Sequence, residues 1–394
     1  MGFYVDPAFF VLAAIAVVPA IVLGINERSL FGYSLVVSGL FLLLLFFYDL
    51  QQGAAFVFFC VLSTALFLWV KHLFATKHPH AVALYRLALA ITMAPLVIYK
   101  IAAVFDGNLL GFLGISYITF KALQVLIEVR DGLITDMSVL EYLGFLVFFT
   151  PFTSGPIMRS RTFVEDARTH LSRHDYLDGL TRGAFLFLLG AFYKFVLAAL
   201  SSWAQWFTPE FIGAGTFLAS FAGESCIAFF YGLYLFFDFA GYSLMAIGLG
   251  SVFGVRVPRN FNAPFISLDI KDFWNRWHMS LSFWLRDFVF MRLTRALLKR
   301  KVFASRVNTA CAGYLANMTI MGFWHGITPD YIIYGIYHGL LLSACELFQK
   351  KSKLYAAHKD EPWFKLCSWA ITMIAVFFGF SLFSGQVSRL ILGA

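Results

Sequence analysis

Long apolar segments recur along the chain and are separated by short polar stretches. An α-helix needs about 20 consecutive apolar residues to cross a bilayer, and several runs adjoin or are interrupted, so we expect about ten to twelve transmembrane helices. The runs do not alternate with a period of two, so they do not fit the strands of a membrane β-barrel. They lie near residues 8–25, 30–49, 54–75, 82–105, 110–127, 138–155, 181–205, 217–237, 239–254, 309–326, 330–348 and 365–385.

The composition supports a membrane environment for most of the chain. Hydrophobic residues make up 60% of the 394 residues, charged residues only 13%, and the mean hydropathy is +0.77. Soluble proteins carry roughly 25% charged residues, so a soluble core of this length could not bury so much apolar surface. No fixed-period repeat and no low-complexity linker divides the sequence. We therefore predict an all-α polytopic membrane protein with a single domain over residues 1–394.

A polar stretch at residues 256–306 concentrates the positive charge of the chain. It holds eleven basic and three acidic residues, a net charge of +8 that equals the formal charge of the whole chain. By the positive-inside rule it faces the cytoplasm. It is either topogenic charge alone or a docking face for an acidic cytoplasmic partner or anionic lipid headgroups. Its many Phe and Trp residues predict interfacial helices, or re-entrant helices that dip into the membrane inside the protein.

Residues 272–286 contain the first candidate site. Interpreted as one helix with about 3.6 residues per turn, the segment places four polar side chains on one face, namely Asn275, His278, Ser282 and Arg286. A polar stripe on an otherwise aromatic membrane helix should face the protein interior or a water-filled cavity. The alternative is an interfacial histidine that is bonded to lipid headgroups.

Two further histidines lie within or at the end of apolar runs. His325 ends the run that begins near residue 309, and Gly326 and Pro329 mark a helix end or break. A histidine at a broken helix can reach a cavity, and ionisable residues at such depth are functional by default. The alternative is a histidine that satisfies a local backbone group. His338 lies deeper in the next run, where it is either structural or orients its neighbours.

Histidine suits the transfer of an acyl group from a thioester to a hydroxyl. An imidazole with an unperturbed pKa near 6.5 can take the hydroxyl proton and return it near neutral pH, and the developing oxyanion needs stabilisation. We assign the base to His325, with His278 or the Asn275 amide assisting. The sequence has no nucleophile elbow, Walker loop, dinucleotide motif or zinc-protease spacing, so neither a bound cofactor nor a metal is expected.

Polar residues within other apolar runs predict buried networks. Lys121, Gln124 and Glu128 fall on one helical face, where Lys121 could pair with its polar neighbours. The alternative is a cavity lining for a charged substrate group. The same two interpretations apply to Asp238.

Several motifs occur together between roughly residues 110 and 340. The most specific is Lys-Asp-Phe-Trp-Asn-Arg-Trp-His-Met-Ser-Leu-Ser at 271–282, whereas Trp-His-Gly at 324–326 would be weak alone. In these motifs the chain resembles the membrane-bound O-acyltransferase superfamily, most closely the branch that acts in teichoic acid D-alanylation. The other matching stretches lie at 112–121, 154–159, 238–243, 258–265 and 337–339.

The resemblance implies transfer of an acyl group from a cytoplasmic thioester donor. In the D-alanine branch the donor is D-alanyl-phosphopantetheine on a small acidic carrier protein, and D-alanine ends on teichoic acid outside. The resemblance also implies that His325 is the catalytic histidine and that His278 is a second functional histidine. Asn275, Ser282, Arg286 and His338 are then expected to line the passage or to orient its neighbours.

The expected architecture places these helices around a central cavity or tunnel, in the plasma membrane of a Gram-positive bacterium. The carrier supplies the phosphopantetheine, so the chain itself binds no cofactor. Expected partners are the acidic carrier on the cytoplasmic face, other membrane proteins of the pathway, the teichoic acid acceptor and membrane lipids. Nucleic acid is not expected.

Three other functions compete with this one. An O-acetyltransferase for an exported polysaccharide, of the alginate type, would use an acetyl donor instead of D-alanine. A transporter or flippase without covalent chemistry would predict inverted repeats with paired broken helices, which the sequence does not show. A structural scaffold would explain the basic stretch, but it leaves the intramembrane histidines without a role.

Overall fold

The structure is a computed structural model that describes residues 2–105, 107–212 and 217–392. Within these ranges the regular structure is helical and no strand occurs, which confirms the all-α prediction. The helices are α1 Pro7–Ile25, α2 Phe31–Phe46, α3 Leu50–Ala75, α4 Ala81–Val104, α5 Ile115–Arg130, α6 Val139–Val147, α7 Ser160–Arg168, α8 Arg173–Phe192, α9 Ala198–Ile212, α10 Phe217–Val252, α11 Ile270–Arg276, α12 Met279–Leu285, α13 Met291–Lys299, α14 Arg306–His325, α15 Pro329–Lys351, α16 Lys353–His358, α17 Pro362–Phe383 and α18 Gln386–Leu392. A π-helical turn joins α8 to α9, and another joins α12 to α13.

Seven helices in the described part of the chain are long and apolar enough to cross a membrane. They are α1, α3, α4, the segment Arg173–Trp206, α10, α15 and α17. The multi-pass membrane fold is therefore confirmed, although several other predicted runs form shorter or more polar helices. The run at 30–49 becomes the 16-residue α2, and the run at 138–155 contains only the nine-residue α6.

The two predicted runs at 217–237 and 239–254 form the single 36-residue helix α10. Asp238, the polar residue between them, lies within this continuous helix, is partly exposed, and pairs with Lys194 through its carboxylate. A charge that has a partner costs far less to bury than an isolated one. Asp238 therefore has a structural contact, in agreement with the first of its two interpretations.

Side-chain caps fix where several helices begin. Asp6, Asp49 and Ser305 each accept a hydrogen bond from a backbone N–H in the first turn of the following helix. Ser138 and Glu141 form a reciprocal capping box at the start of α6. Such caps satisfy backbone donors that a helix leaves unpaired at its N-terminus.

The described chain divides into two compact units. The first comprises residues 1–190 and 242–258, and the second comprises residues 191–241 and 259–394. The single domain inferred from the sequence stays a prediction.

The first unit contains the buried polar network of α5. The Lys121 side chain is 1% exposed and donates to the carbonyls of Phe145 and Leu146, at 3.0 and 3.3 Å. Lys121 does not pair with the other polar side chains of its own helix face, which was one possibility. Ser160 instead links Gln124 to Glu128 through its hydroxyl. The network thus joins α5 to the start of α7 and has the structural character that the sequence favoured.

In the second unit, α14 and α15 form a tightly packed hairpin. A Cβ atom added to Gly335 would lie 2.5 Å from the carbonyl oxygen of Met318 and 3.1 Å from the Cα of Gly322. Gly339 makes a similar approach to the backbone of Leu315. Only glycine allows the two helix backbones to come this close, and the hairpin carries His325 at its turn and His338 on its second helix.

Candidate active site

The segment predicted as one helix over 272–286 is broken at His278. It forms the two short helices α11 and α12, and His278 lies between them with φ 44° and ψ 48°. The single helical stripe is therefore wrong. The break is held from outside the segment, because Met279 N–H donates to the carbonyl of Asn260 at 2.8 Å and the Ser280 hydroxyl donates to the Asn260 side chain at 2.6 Å.

His278 is buried among aromatic rings in the second unit. Its side chain packs against Phe239 with a ring-centroid distance of 4.7 Å, and the residue is 5% exposed. Burial lowers the pKa of the His278 imidazole well below its ordinary value, and the nearby His325 lowers it further. The ring is thus neutral at pH 7 and can both donate and accept a hydrogen bond. Within the described ranges, its Nδ1 has no hydrogen-bond partner.

His325 is the last residue of α14 and is partly exposed. Its ring lies 4.9 Å from that of Phe383 and 5.9 Å from that of Tyr331. A side chain on the following residue, Gly326, would collide with the Tyr331 ring at 2.5 Å. This glycine therefore allows the chain to turn away directly after the imidazole.

Trp324 links the two candidate catalytic histidines. Its ring lies 6.1 Å from the His278 ring and 4.7 Å from the His325 ring. Residues that are 47 positions apart in the sequence are thus brought within electrostatic reach of each other. In the sequence, Trp324 is recognisable only as part of the Trp-His-Gly motif, and no spacing indicates its contact with His278.

His338 is completely buried on α15, and its tautomer is fixed by its contacts. Trp274 donates from its indole Nε1 to Nδ1 of His338 at 3.3 Å. In the neutral ring the hydrogen is then on Nε2, which faces Gly379 so closely that a Cβ there would lie 2.5 Å away. Tyr334 packs between His338 and His325, with ring distances of 4.6 and 6.4 Å. His338 is therefore held in place by Trp274, Tyr334 and Gly379, and its role in orienting neighbours stays a prediction.

Asn275, Ser282 and Arg286 share a cavity of about 210 Å³ in spite of the helix break. The cavity lies against α14, and three predicted histidines (His278, His325 and His338) are not among its lining residues. Arg286 is exposed, stacks over the Phe283 ring at 4.6 Å and pairs with Asp287 at 2.9 Å. The predicted polar face thus separates into a cavity wall and a buried histidine.

Two residues that sequence reasoning missed also line this cavity. Lys271 bonds Glu346 and donates to Gln349 Oε1 at 2.9 Å, so its charge is paired at the cavity wall. Asn317 places a side-chain oxygen in the lining that has no hydrogen-bond partner among the described residues. A polar amide in the apolar run 309–326 was the available signal for Asn317.

The basic stretch divides into paired and unpaired charges. Arg256 bonds Asp166 at 2.6 Å, and Arg276 bonds Asp272 at 2.8 Å. From the middle of α13 to the first residue of α14, a group of exposed basic side chains makes no ion pair with any described residue. This group, the α13 basic cluster, consists of Arg295, Lys299, Arg300, Lys301 and Arg306.

Across the described ranges, no group of three or more His, Cys, Asp and Glu side chains is close enough to hold a metal ion. The chemical groups packed around Trp324, Tyr334 and Trp274 are three imidazoles, indoles and phenols. They can exchange protons and donate hydrogen bonds to a developing oxyanion.

Comparison with known proteins gives consistent matches over almost the whole chain. The model of the MBOAT, membrane-bound O-acyltransferase family, matches residues 37–392. A protein of Bacillus subtilis (strain 168) named teichoic acid D-alanyltransferase is 37% identical over 96% of this chain and 96% of its own length. The protein of the same name from Streptococcus thermophilus is 36% identical over 98% of this chain and 96% of its own length.

A second group of relatives is matched less completely. A protein of Pseudomonas syringae named probable alginate O-acetylase is 31% identical over 70% of this chain, which corresponds to 49% of its own length. The similarity to the two D-alanyltransferases therefore covers both partners almost fully, whereas the similarity to the acetylase covers about half of the relative.

Proposed function

Because the chain belongs to the membrane-bound O-acyltransferase family, we propose that this membrane acyltransferase transfers D-alanine from a carrier-bound thioester toward teichoic acid. The observation that carries the choice of substrate is the near full-length similarity to relatives named teichoic acid D-alanyltransferase. The acetylase relatives align with a smaller part of the chain. We propose that the protein lies in the plasma membrane of a Gram-positive bacterium, where it acts with other membrane proteins of the same pathway.

In the proposed reaction His325 is the general base. The acceptor hydroxyl loses its proton to the imidazole while its oxygen bonds to the thioester carbonyl carbon. The carbon–sulfur bond then breaks, and the imidazolium returns the proton to the departing thiolate. His325 suits this role because it is partly exposed next to a backbone turn, whereas His338 is sealed by Trp274 and Gly379.

His278 is the proposed partner of His325 in this chemistry. Its ring packs against Trp324, as the His325 ring does, and the imidazole is neutral. The neutral ring can donate a hydrogen bond to the oxyanion or to the acceptor. The aromatic surroundings exclude water, which strengthens such a bond relative to bulk solvent.

The cavity beside α11 and α12 is the proposed path of the phosphopantetheine arm. That arm contains two amide groups, and the lining offers the amides of Asn275 and Asn317 and the hydroxyl of Ser282. Arg286, at an exposed position of the same cavity, suits the phosphate that joins the arm to the carrier.

The α13 basic cluster is the proposed docking face for the acidic carrier. We expect Arg295→Glu combined with Lys299→Glu to weaken carrier binding at least about tenfold at low salt, because both attractions become repulsions. The difference in carrier affinity between this double variant and the wild type should become smaller at high ionic strength. Both affinities are measured by binding the purified carrier to the reconstituted protein.

A matched pair of substitutions controls for the change in net charge. Lys77→Glu with Arg173→Glu reverses two exposed charges in the other unit and should leave carrier binding within about twofold of wild type. Equal loss in both double variants would mean that only the overall charge matters and would reject this docking face.

The reaction itself is tested with purified protein in proteoliposomes and a chemically loaded carrier. We expect loss of the D-alanyl thioester from the carrier and no turnover of an acetylated carrier or of acetyl-coenzyme A. Turnover of an acetyl donor with no loss of D-alanine would assign the chain to polysaccharide O-acetylation. Absence of any covalent transfer, with transport of a glycolipid, would favour a flippase.

A further inference from the structure

A second cavity of about 350 Å³ lies in the same unit and has no lining residue in common with the cavity of Asn275. Its walls are formed by α15, α16, α17 and the segment before α11. None of the proposed catalytic histidines lines it. The proposed acyl transfer therefore gives this cavity no role.

One part of this cavity is apolar and opens to the side of the helices. Ile371 and Phe348 line it and are 68% and 43% exposed, and the small lining residue Ala344, one turn before Phe348 on α15, is also exposed. Both α15 and α17 are long and apolar enough to span a membrane. Because exposed apolar side chains on such helices face the hydrocarbon, the cavity is a groove that is open to lipid.

The other part of the groove is cationic. Lys359 and Lys365 line it, are exposed, and form no ion pair with any described residue. The one lining carboxylate, Asp269, accepts hydrogen bonds from the Gln349 side chain and from the first turn of α11, so the lining keeps a net positive charge. They flank Pro362, where the spanning helix α17 begins, so they stand at the level of the lipid headgroups. Residues 350–365 contain five Lys against Asp360 and Glu361, an excess of three positive charges. By the positive-inside rule this end faces the cytoplasm, where anionic lipids are concentrated.

The dimensions of the groove fit one acyl chain of one leaflet. Lys365 and Ala375 are ten residues apart on α17, about 15 Å at 1.5 Å per residue, which is half of a hydrocarbon core about 30 Å thick. A stretch of helix of that length and about 10 Å wide would fill roughly 1,200 Å³, several times the groove volume of about 350 Å³. A helix with side chains is about 10–12 Å wide, so a helix of a partner protein does not fit.

We propose that this groove binds an anionic phospholipid, with the phosphate between Lys359 and Lys365 and an acyl chain along α17. Tyr355 lines the headgroup end, and Trp363 is exposed beside it, as is typical of residues at the membrane interface. The proposal is independent of the acyl-transfer reaction, since it concerns a different cavity.

The test measures lipid retention by the full-length protein. After delipidation in a mild detergent, phosphatidylglycerol or phosphatidylcholine with identical acyl chains is titrated in, and bound lipid is counted by native mass spectrometry. We expect phosphatidylglycerol to bind at least about tenfold more tightly than phosphatidylcholine, because only its headgroup carries a net negative charge. The double variant Lys359→Gln with Lys365→Gln should bind phosphatidylglycerol at least about tenfold more weakly than the wild type.

The control variant is Lys350→Gln with Lys353→Gln, which removes two nearby exposed charges that do not line the groove. It should bind phosphatidylglycerol like the wild type. Ala344→Phe fills the apolar part from an exposed position and should reduce binding of both lipids while thermal stability is unchanged. The proposal is overturned if the two double variants lose affinity equally, if Ala344→Phe retains lipid, or if both lipids bind alike.

Discussion

Replacing His325 with alanine is expected to lower D-alanine transfer by about 10²- to 10⁴-fold, the range typical of a lost general base. The side chain stands at the turn between α14 and α15 and contacts Phe383 and Tyr331 through its ring. Its removal leaves the acceptor hydroxyl without a base but takes away little buried surface. In intact cells, D-alanine esters on teichoic acid should fall to background while the amount of membrane-inserted protein stays normal.

Two comparisons separate this chemical role from a structural one. His174→Ala removes a histidine whose side chain is 84% exposed, and it should leave ester content unchanged. In the reconstituted assay, His325→Ala should still bind the loaded carrier with wild-type affinity, since binding and chemistry use different residues. Normal ester content in cells that carry His325→Ala would reject the catalytic assignment.

The largest effect on stability is expected from Gly335→Val, at about 3 kcal/mol or more. A Cβ at this position would meet the backbone of Met318 at 2.5 Å, and a backbone atom cannot move aside as a flexible side chain can. The helices of the hairpin must separate, which also displaces Tyr334 and His338 from their neighbours. Thermal unfolding of the purified protein in detergent should show a clearly lowered midpoint together with lost activity.

Gly39→Val provides the matched control for this substitution. Gly39 is a helical glycine on α2 with no atom within 4 Å of an added Cβ. Its replacement should change the free energy of unfolding by no more than about 0.5 kcal/mol. Similar destabilisation by both variants would show that loss of glycine flexibility, and not the close approach of α14 and α15, determines the effect.

Sequence reasoning succeeded where the decisive contacts are local or where the pattern repeats. The apolar runs predicted the seven long apolar helices of the described ranges, and Asn275, Ser282 and Arg286 line one cavity although the single helix expected to carry them is broken. It failed at His278, because the segment 272–286 contains no proline or glycine that marks a break. The stabilising partner of that break, Asn260, lies outside any helical window around it.

The join of two predicted runs into α10 has a similar cause. The predicted runs end at residue 237 and resume at 239, on either side of Asp238, because an isolated charge is costly in an apolar helix. Its partner Lys194 lies 44 residues earlier in the chain. A pairing at that separation leaves no periodic signal, so the length of α10 could not be obtained from hydropathy alone.

The residues and their order were sufficient to predict the all-helical membrane class, the concentration of positive charge in residues 256–306 and the candidate histidines. These properties follow from composition and short-range periodicity. A long apolar run enters lipid as a helix, and basic residues stay on the cytoplasmic side, whatever the distant parts of the chain do. The position of Trp324 between His278 and His325, and the hydrogen bond from Trp274 to His338, are visible only in the folded chain. Those relations depend on which distant helices pack together, because side-chain contacts across a helix interface are set by three-dimensional fit and not by spacing along the chain.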